Sequence, residues 1–154
     1  MDFRLNLETE TIERVFSADP LCVEPTTTIR EVFRLLRDKH RGAVLVCKNQ
    51  VLVGIFTERD ALVQMAKGGD LDRPIETVMV RQPMTVAGGT KVADAITKMS
   101  HGGYRRLPVV DDQGRPIGVL KVSGILHYFV EHFPQVIYTL PPQPHHAMQE
   151  REGA

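Results

Sequence analysis

The sequence predicts an α+β protein in which two copies of a β-α-β-β-α unit pack sheet to sheet about a pseudo-two-fold axis. Three observations lead there. The stretch Pro20-Leu21-Cys22-Val23 followed by Thr27-Thr28-Ile29 returns 63 residues later as Pro83-Met84-Thr85-Val86 followed by Thr90-Lys91-Val92, and from Arg41 onward the offset is 64. Each copy then carries an amphipathic helical pattern of the same phase. Each closes with two short β-rich runs around a polar turn and a further helical pattern. A unit of about 45 residues is too small to bury its own faces well, so the copies are expected to share an interface. A cleft on their axis is the natural place for a ligand.

The elements follow in chain order. Pro20 to Val23 reads as a first strand, and Ile29, Val32, Phe33 and Leu36 form one apolar helix face. Thr28-x-x-Glu31 fits a capping box at that helix start. Arg41-Gly42-Ala43-Val44-Leu45-Val46 and Val51-Leu52-Val53-Gly54-Ile55-Phe56 flank the turn Lys48-Asn49-Gln50, a spacing that suits an antiparallel hairpin. A second helix carries Ala61, Leu62, Met65 and Ala66 and stops at Lys67-Gly68-Gly69. In the second copy Thr90 can cap a helix bearing Val92, Ala95, Ile96 and Met99. Arg105-Arg106-Leu107-Pro108-Val109-Val110 and Pro116-Ile117-Gly118-Val119-Leu120 flank the turn Asp111 to Gly114, and the last helix carries Ile125, Leu126, Phe129 and Val130. The implied division is an N-terminal arm (1–19), a first repeat (20–66), a linker and connecting helix (67–82), a second repeat (83–133) and a loose Pro-rich tail (134–154).

Composition narrows the function classes. Nineteen Lys and Arg balance nineteen Asp and Glu in 154 residues, so no global basic field exists for nucleic acid or membrane. Aromatics are 6% with no Trp, and no basic and aromatic residues interleave, which disfavours a single-stranded nucleic-acid platform. No secretory leader or membrane-length apolar run is visible, so the cytoplasm is the expected address. Cys22 and Cys47 lie in apolar stretches without a C-x-x-C motif and read as small buried hydrophobes. His127 and His132 are five apart, not at the i, i+4 spacing of a metal clamp, and no metal site is expected. Nucleophile-elbow, zinc-protease, P-loop and dinucleotide-fingerprint motifs are absent, and no enzyme activity is expected.

The repeated order, with Leu107-Pro108-Val109-Val110-Asp111 at the helix-to-strand step and Gly54-Ile55-Phe56-Thr57-Glu58-Arg59-Asp60 at a strand-to-helix junction, resembles a tandem CBS-domain pair, also called a Bateman module. The resemblance covers roughly residues 12–133. It implies a non-catalytic sensor, requiring no cofactor, that binds an adenosine-containing ligand between the copies: AMP, ADP or ATP, or else S-adenosylmethionine or NAD. It further implies homodimers and an effector protein as partner, and the apolar stretches 3–16 and 129–138 are candidates for the dimer contact. The competing reading is a ligand-free dimerisation or protein-interaction module.

The resemblance also implies roles for particular residues. Thr57 and Asp60 would hold the ribose, and a carboxylate, which only accepts hydrogen bonds, suits paired hydroxyls. Arg105, Arg106 and Lys121 would meet phosphate, and forked guanidinium groups are well shaped for it. Ile55, Pro83, Met84 and Thr85 would hold the base. Thr57-x-x-Asp60 is equally a plain helix start, and the two roles are compatible. In the second copy Lys121 and Gly124 stand where Thr57 and Asp60 stand in the first. One well-formed site is therefore expected, with the second cleft, near His40, Arg41, Lys121 and Ser123, empty, weak or suited to another ligand.

Overall fold

The computed structural model describes residues 7–132. Two small sheets organise them. The first has the order β1-β2-β3-β4, from Cys22–Val23, Ala43–Lys48, Val51–Thr57 and Val80–Arg81. The second has the order β5-β6-β7, from Val86–Ala87, Arg106–Val110 and Pro116–Lys121. In both, the first strand runs parallel to the second, and the second and third form an antiparallel hairpin. The helices are α1 (Ile29–Asp38), α2 (Glu58–Lys67), α3 (Val92–Gly102) and α4 (Val122–His132). The repeated β-α-β-β-α order is thus observed.

Side-chain alternation along the strands explains how one sheet serves two interfaces. Val44 and Val46 of β2 and Phe56 of β3 point toward α1, where Ile29, Val32 and Leu36 close the first core. Leu45 and Ile55, also buried, belong to neither helix-backed core. Leu45 instead lines a crevice with Val119 and Arg106 of the second sheet, so this face meets the other repeat. Leu107, Val109 and Leu120 form the equivalent core with Val92, Ala95 and Met99.

The stretches read as arm and linker are parts of the two cores, and they are exchanged. The 3-10 turn Ile12–Arg14 precedes the first repeat but places Ile12, fully buried, in the second core with Val15 and Phe16 alongside. The 3-10 turn Ile75–Thr77 places Ile75 and Met79 in the first core, with Leu71 and Val78 alongside. Each segment also completes the sheet it joins: β4 pairs with β3, and Ser17 bridges to Val119 of β7.

These crossing segments also satisfy the helix starts, which leave backbone donors unpaired. Thr28 caps α1 by accepting from the Glu31 amide at 3.1 Å, and the amides of Ile29 and Arg30 donate to Arg73 and Leu71 carbonyls. At α3 the expectation of a Thr90 cap fails. Lys91 occupies the cap position, and its ammonium has no acceptor to offer; the Val92 amide donates instead to the Glu10 carbonyl at 2.8 Å.

Apolar surface is distributed differently from the sequence expectation as well. Of the stretches proposed for dimerisation, Ile12, Val15, Phe16 and Phe129 are spent in or against the second core. Exposed apolar side chains cluster instead on α2 and α4, with Leu62 and its repeat equivalent Leu126 at 65% and 59% exposure. The proposed tail and the first six residues lie outside the described residues. Within the described residues no helix is long and apolar enough to cross a membrane.

Candidate functional site

The junction of β3 and α2 builds one wall of a cleft. Thr57 ends the strand and caps the helix, and Asp60 sits in its first turn. The Asp60 Oδ2 accepts from the Thr57 amide at 2.9 Å and from the Thr57 hydroxyl at 3.0 Å, while the Asp60 amide donates back to Thr57 Oγ1 at 3.4 Å. The capping reading is therefore realised. It consumes one carboxylate oxygen; Oδ1 has no donor among the described residues, and both side chains stay half-buried. A carboxylate locked at one oxygen and open at the other is a preset hydrogen-bond acceptor.

The facing wall comes from the second repeat. Helix α3 ends at Gly103, whose left-handed backbone (φ 68) terminates the helix without strain. Tyr104 then lays its ring against Gly102, where any Cβ would strike it, and the chain turns into β6 with Arg105 exposed and Arg106 half-buried. The Arg106 guanidinium lies over Gly42 of the first repeat; a Cβ there would come within 2.7 Å of Nη2 and 2.9 Å of Cζ. Glycine at 42 is what lets an arginine from one repeat cross the axis toward the other.

Together these walls enclose a cleft of about 750 Å3. Of the residues singled out from sequence, Ile55, Thr57, Asp60, Pro83, Met84, Arg105 and Arg106 line it. Thr85 and Lys121 do not. Thr85 presents its carbonyl to Lys98 Nζ at 2.7 Å, and Lys121, paired with Arg106 across β6 and β7, lines the crevice on the opposite side of the axis. Sequence reading missed Arg59, Gln82 and Tyr104 as lining residues. Arg59 lies one turn position from Asp60 and was legible as a third cation; the lip position of Tyr104 depends on how α3 ends and was not.

The pseudo-equivalent cleft is nearly closed, with about 20 Å3 of free space. Arg41, the repeat equivalent of Arg105, donates to the Asp19 carbonyl at 2.8 Å and to its carboxylate at 3.2 Å. So exposed an ion pair contributes little stability, but it fixes where Arg41 points. The position matching Asp19 is Gln82, which has no carboxylate, and Arg105 makes no ion pair among the described residues. Gly124, in the place of Asp60, has the Val15 carbonyl 3.1 Å from where a Cβ would sit. Of the second-cleft residues, Arg41 and Lys121 line this crevice and His40 and Ser123 do not.

The CBS domain family model matches residues 12–67 and 75–131, so each match begins at one of the exchanged 3-10 turns. A 17.7 kDa protein of Acidianus ambivalens is 30% identical over 115 residues, covering 74% of this chain and 70% of its own length. The chain spans smaller shares, 60% and 38%, of two further relatives. Among solved structures, the CBS domain protein PAE2072 from Pyrobaculum aerophilum, complexed with AMP, superimposes with a TM-score of 0.69 at 28% identity, covering 75% of this chain and 89% of that one. The CBS domain pair of MJ0100, in complex with 5′-methylthioadenosine and S-adenosyl-L-methionine, gives a TM-score of 0.71 at 25% identity, covering 78% and 99%. With both repeats matched in sequence and fold, this chain belongs to the CBS domain family as a tandem pair.

Proposed function

We propose that the chain is a regulatory module that binds one adenosine-containing ligand in the cleft between its repeats and reports that occupancy to a partner protein. The observation that carries this reading is the opposition, across one cleft, of a locked Asp60 carboxylate with an open oxygen and the Arg105 and Arg106 pair. The first suits ribose hydroxyls and the second suits phosphate. The volume falls within the ordinary range for small-molecule sites. The adenosine ligands of the two structural relatives support the class. Ile55, Pro83 and Met84 supply apolar surface for the base.

Because the two walls come from different repeats, a ligand touching both favours the arrangement in which they face each other. It shifts the population of that arrangement only by its differential affinity for it. The module itself carries out no chemistry in this reading. Its homodimer forms through the exposed apolar faces of α2 and α4, and light scattering at tens of micromolar should return twice the chain mass. A monomer there would remove that part.

Calorimetric titration with AMP, 5′-methylthioadenosine and S-adenosylmethionine tests the ligand reading. Binding near one ligand per chain is expected. Arg106→Ala should weaken AMP by about tenfold, through the loss of a charge-assisted bond, and leave the phosphate-free 5′-methylthioadenosine unchanged. Absence of binding by all three at millimolar concentration would overturn the proposal.

A further inference from the structure

The two cysteines depart from the expectation that they are buried. Cys22 is exposed and Cys47 half-buried, and both line a third cleft of about 840 Å3, separate from the two between the repeats, together with Glu24, Glu31, Asp111 and Arg115. They share a face of the first sheet. Cys22 pairs with Leu45 in the parallel ladder of β1 and β2, and Cys47 follows two residues on. The interaction with the neighbouring Cys47 thiol brings the Cys22 pKa down to about 7, against the opposing effects of burial and the Asp19 carboxylate. The same contact, with burial, pushes Cys47 up. Cys22 also lies 3.8 Å from the Pro20 carbonyl as a weak donor.

We propose that Cys22 and Cys47 form a reversible disulfide when the protein meets a hydroperoxide. Cys22 is the attacking sulfur because it is the exposed one and holds thiolate near neutral pH, the form that reacts. Its thiolate attacks one peroxide oxygen; the O–O bond breaks, hydroxide leaves and takes a proton to become water, and Cys22 becomes a sulfenic acid. The Cys47 sulfur then attacks that sulfur, its proton leaves with the sulfenic oxygen as a second water, and the S–S bond forms. Two thiols are oxidised to one disulfide while hydrogen peroxide is reduced to two waters.

A pair set diagonally across a ladder must draw closer to reach disulfide geometry. The register irregularity between Val46 and Cys47, and the position of β1 as a two-residue strand at the sheet edge, leave the backbone free to do so. The bond would close the chain around α1, a loop of 25 residues, and so restrict the unfolded state.

The test uses the full chain, treated with dilute hydrogen peroxide and followed by intact mass, thiol titration and thermal melting. Wild type should lose both thiols together, lose the mass of two hydrogens, stay at its native subunit assembly, and melt roughly 5–10 °C higher, all reversed by dithiothreitol. Cys47→Ser should stall at a sulfenic acid on Cys22 that a dimedone probe traps, whereas Cys22→Ser should react many-fold more slowly. Retention of both thiols, crosslinks only between chains, or equal reactivity of the two serine variants would overturn the proposal.

Discussion

Gly118→Ala is expected to destabilise the protein by about 3–4 kcal/mol, while the repeat-equivalent Gly54→Ala costs only about 1 kcal/mol. Both glycines lie where an exchanged segment crosses a hairpin strand, and neither tolerates a Cβ without movement, but what each Cβ meets differs. At Gly118 it strikes the Ser17 carbonyl and the Phe16 ring. The carbonyl is backbone, so relief requires the segment to move, breaking the reciprocal Ser17 and Val119 amide-to-carbonyl bonds of 3.0 Å each. At Gly54 the Cβ strikes the Met79 side chain, with Cγ at 2.9 Å and Cε at 3.1 Å. A thioether chain with several soft torsions can repack. Urea denaturation midpoints of the two variants measure the difference; equal losses would show that the crossing segment is not held rigidly at Ser17.

That contrast arises in the exchanged segments that precede each repeat. Strands and helices were legible because their apolar periods, 2 and 3.6, are local properties. The exchanged segments were not read, yet the signal was present: Ile12-Glu13-Arg14-Val15 and Ile75-Glu76-Thr77-Val78 repeat at the same offset of 63 and share Ile, Glu and Val. The repeat thus extends upstream to both segments. Which core each copy enters is a matter of chain crossing, and no local pattern encodes it.

The site shows the same division. Residues flanking the repeated strand-to-helix junction and the helix-to-strand step fell in one cleft because the pseudo-symmetry itself brings those two steps together. Lys121 was assigned by equivalence with Thr57, but equivalence across the axis places it in the opposite crevice, beside Arg41. The asymmetry between the clefts was half legible. The absence of a carboxylate at Gly124 was legible, whereas the exchange of Asp19 for Gln82, which ties Arg41 and leaves Arg105 without an ion pair among the described residues, was not. Cys22 and Cys47 misled because apolar neighbours in sequence say nothing of a strand's second face, which here borders a cleft.

Asp60→Asn is expected to lower AMP affinity by about 30- to 100-fold while changing stability little, and Asp60→Ala to lower both. The present carboxylate uses Oδ2 for the cap and leaves Oδ1 open. Asn can place its single carbonyl oxygen where Oδ2 sits, so the Thr57 amide and hydroxyl keep their acceptor. Its amide nitrogen then faces the cleft, a donor where two ribose hydroxyls need an acceptor, and the charge is gone. Ala removes both oxygens; the helix start loses its reciprocal bonds, at a cost of roughly 1 kcal/mol, and the ribose loses its partner. Calorimetry with AMP alongside urea midpoints separates the roles. Wild-type affinity in the Asn variant would mean that Asp60 serves only as a helix cap, and the ribose assignment would fall with it.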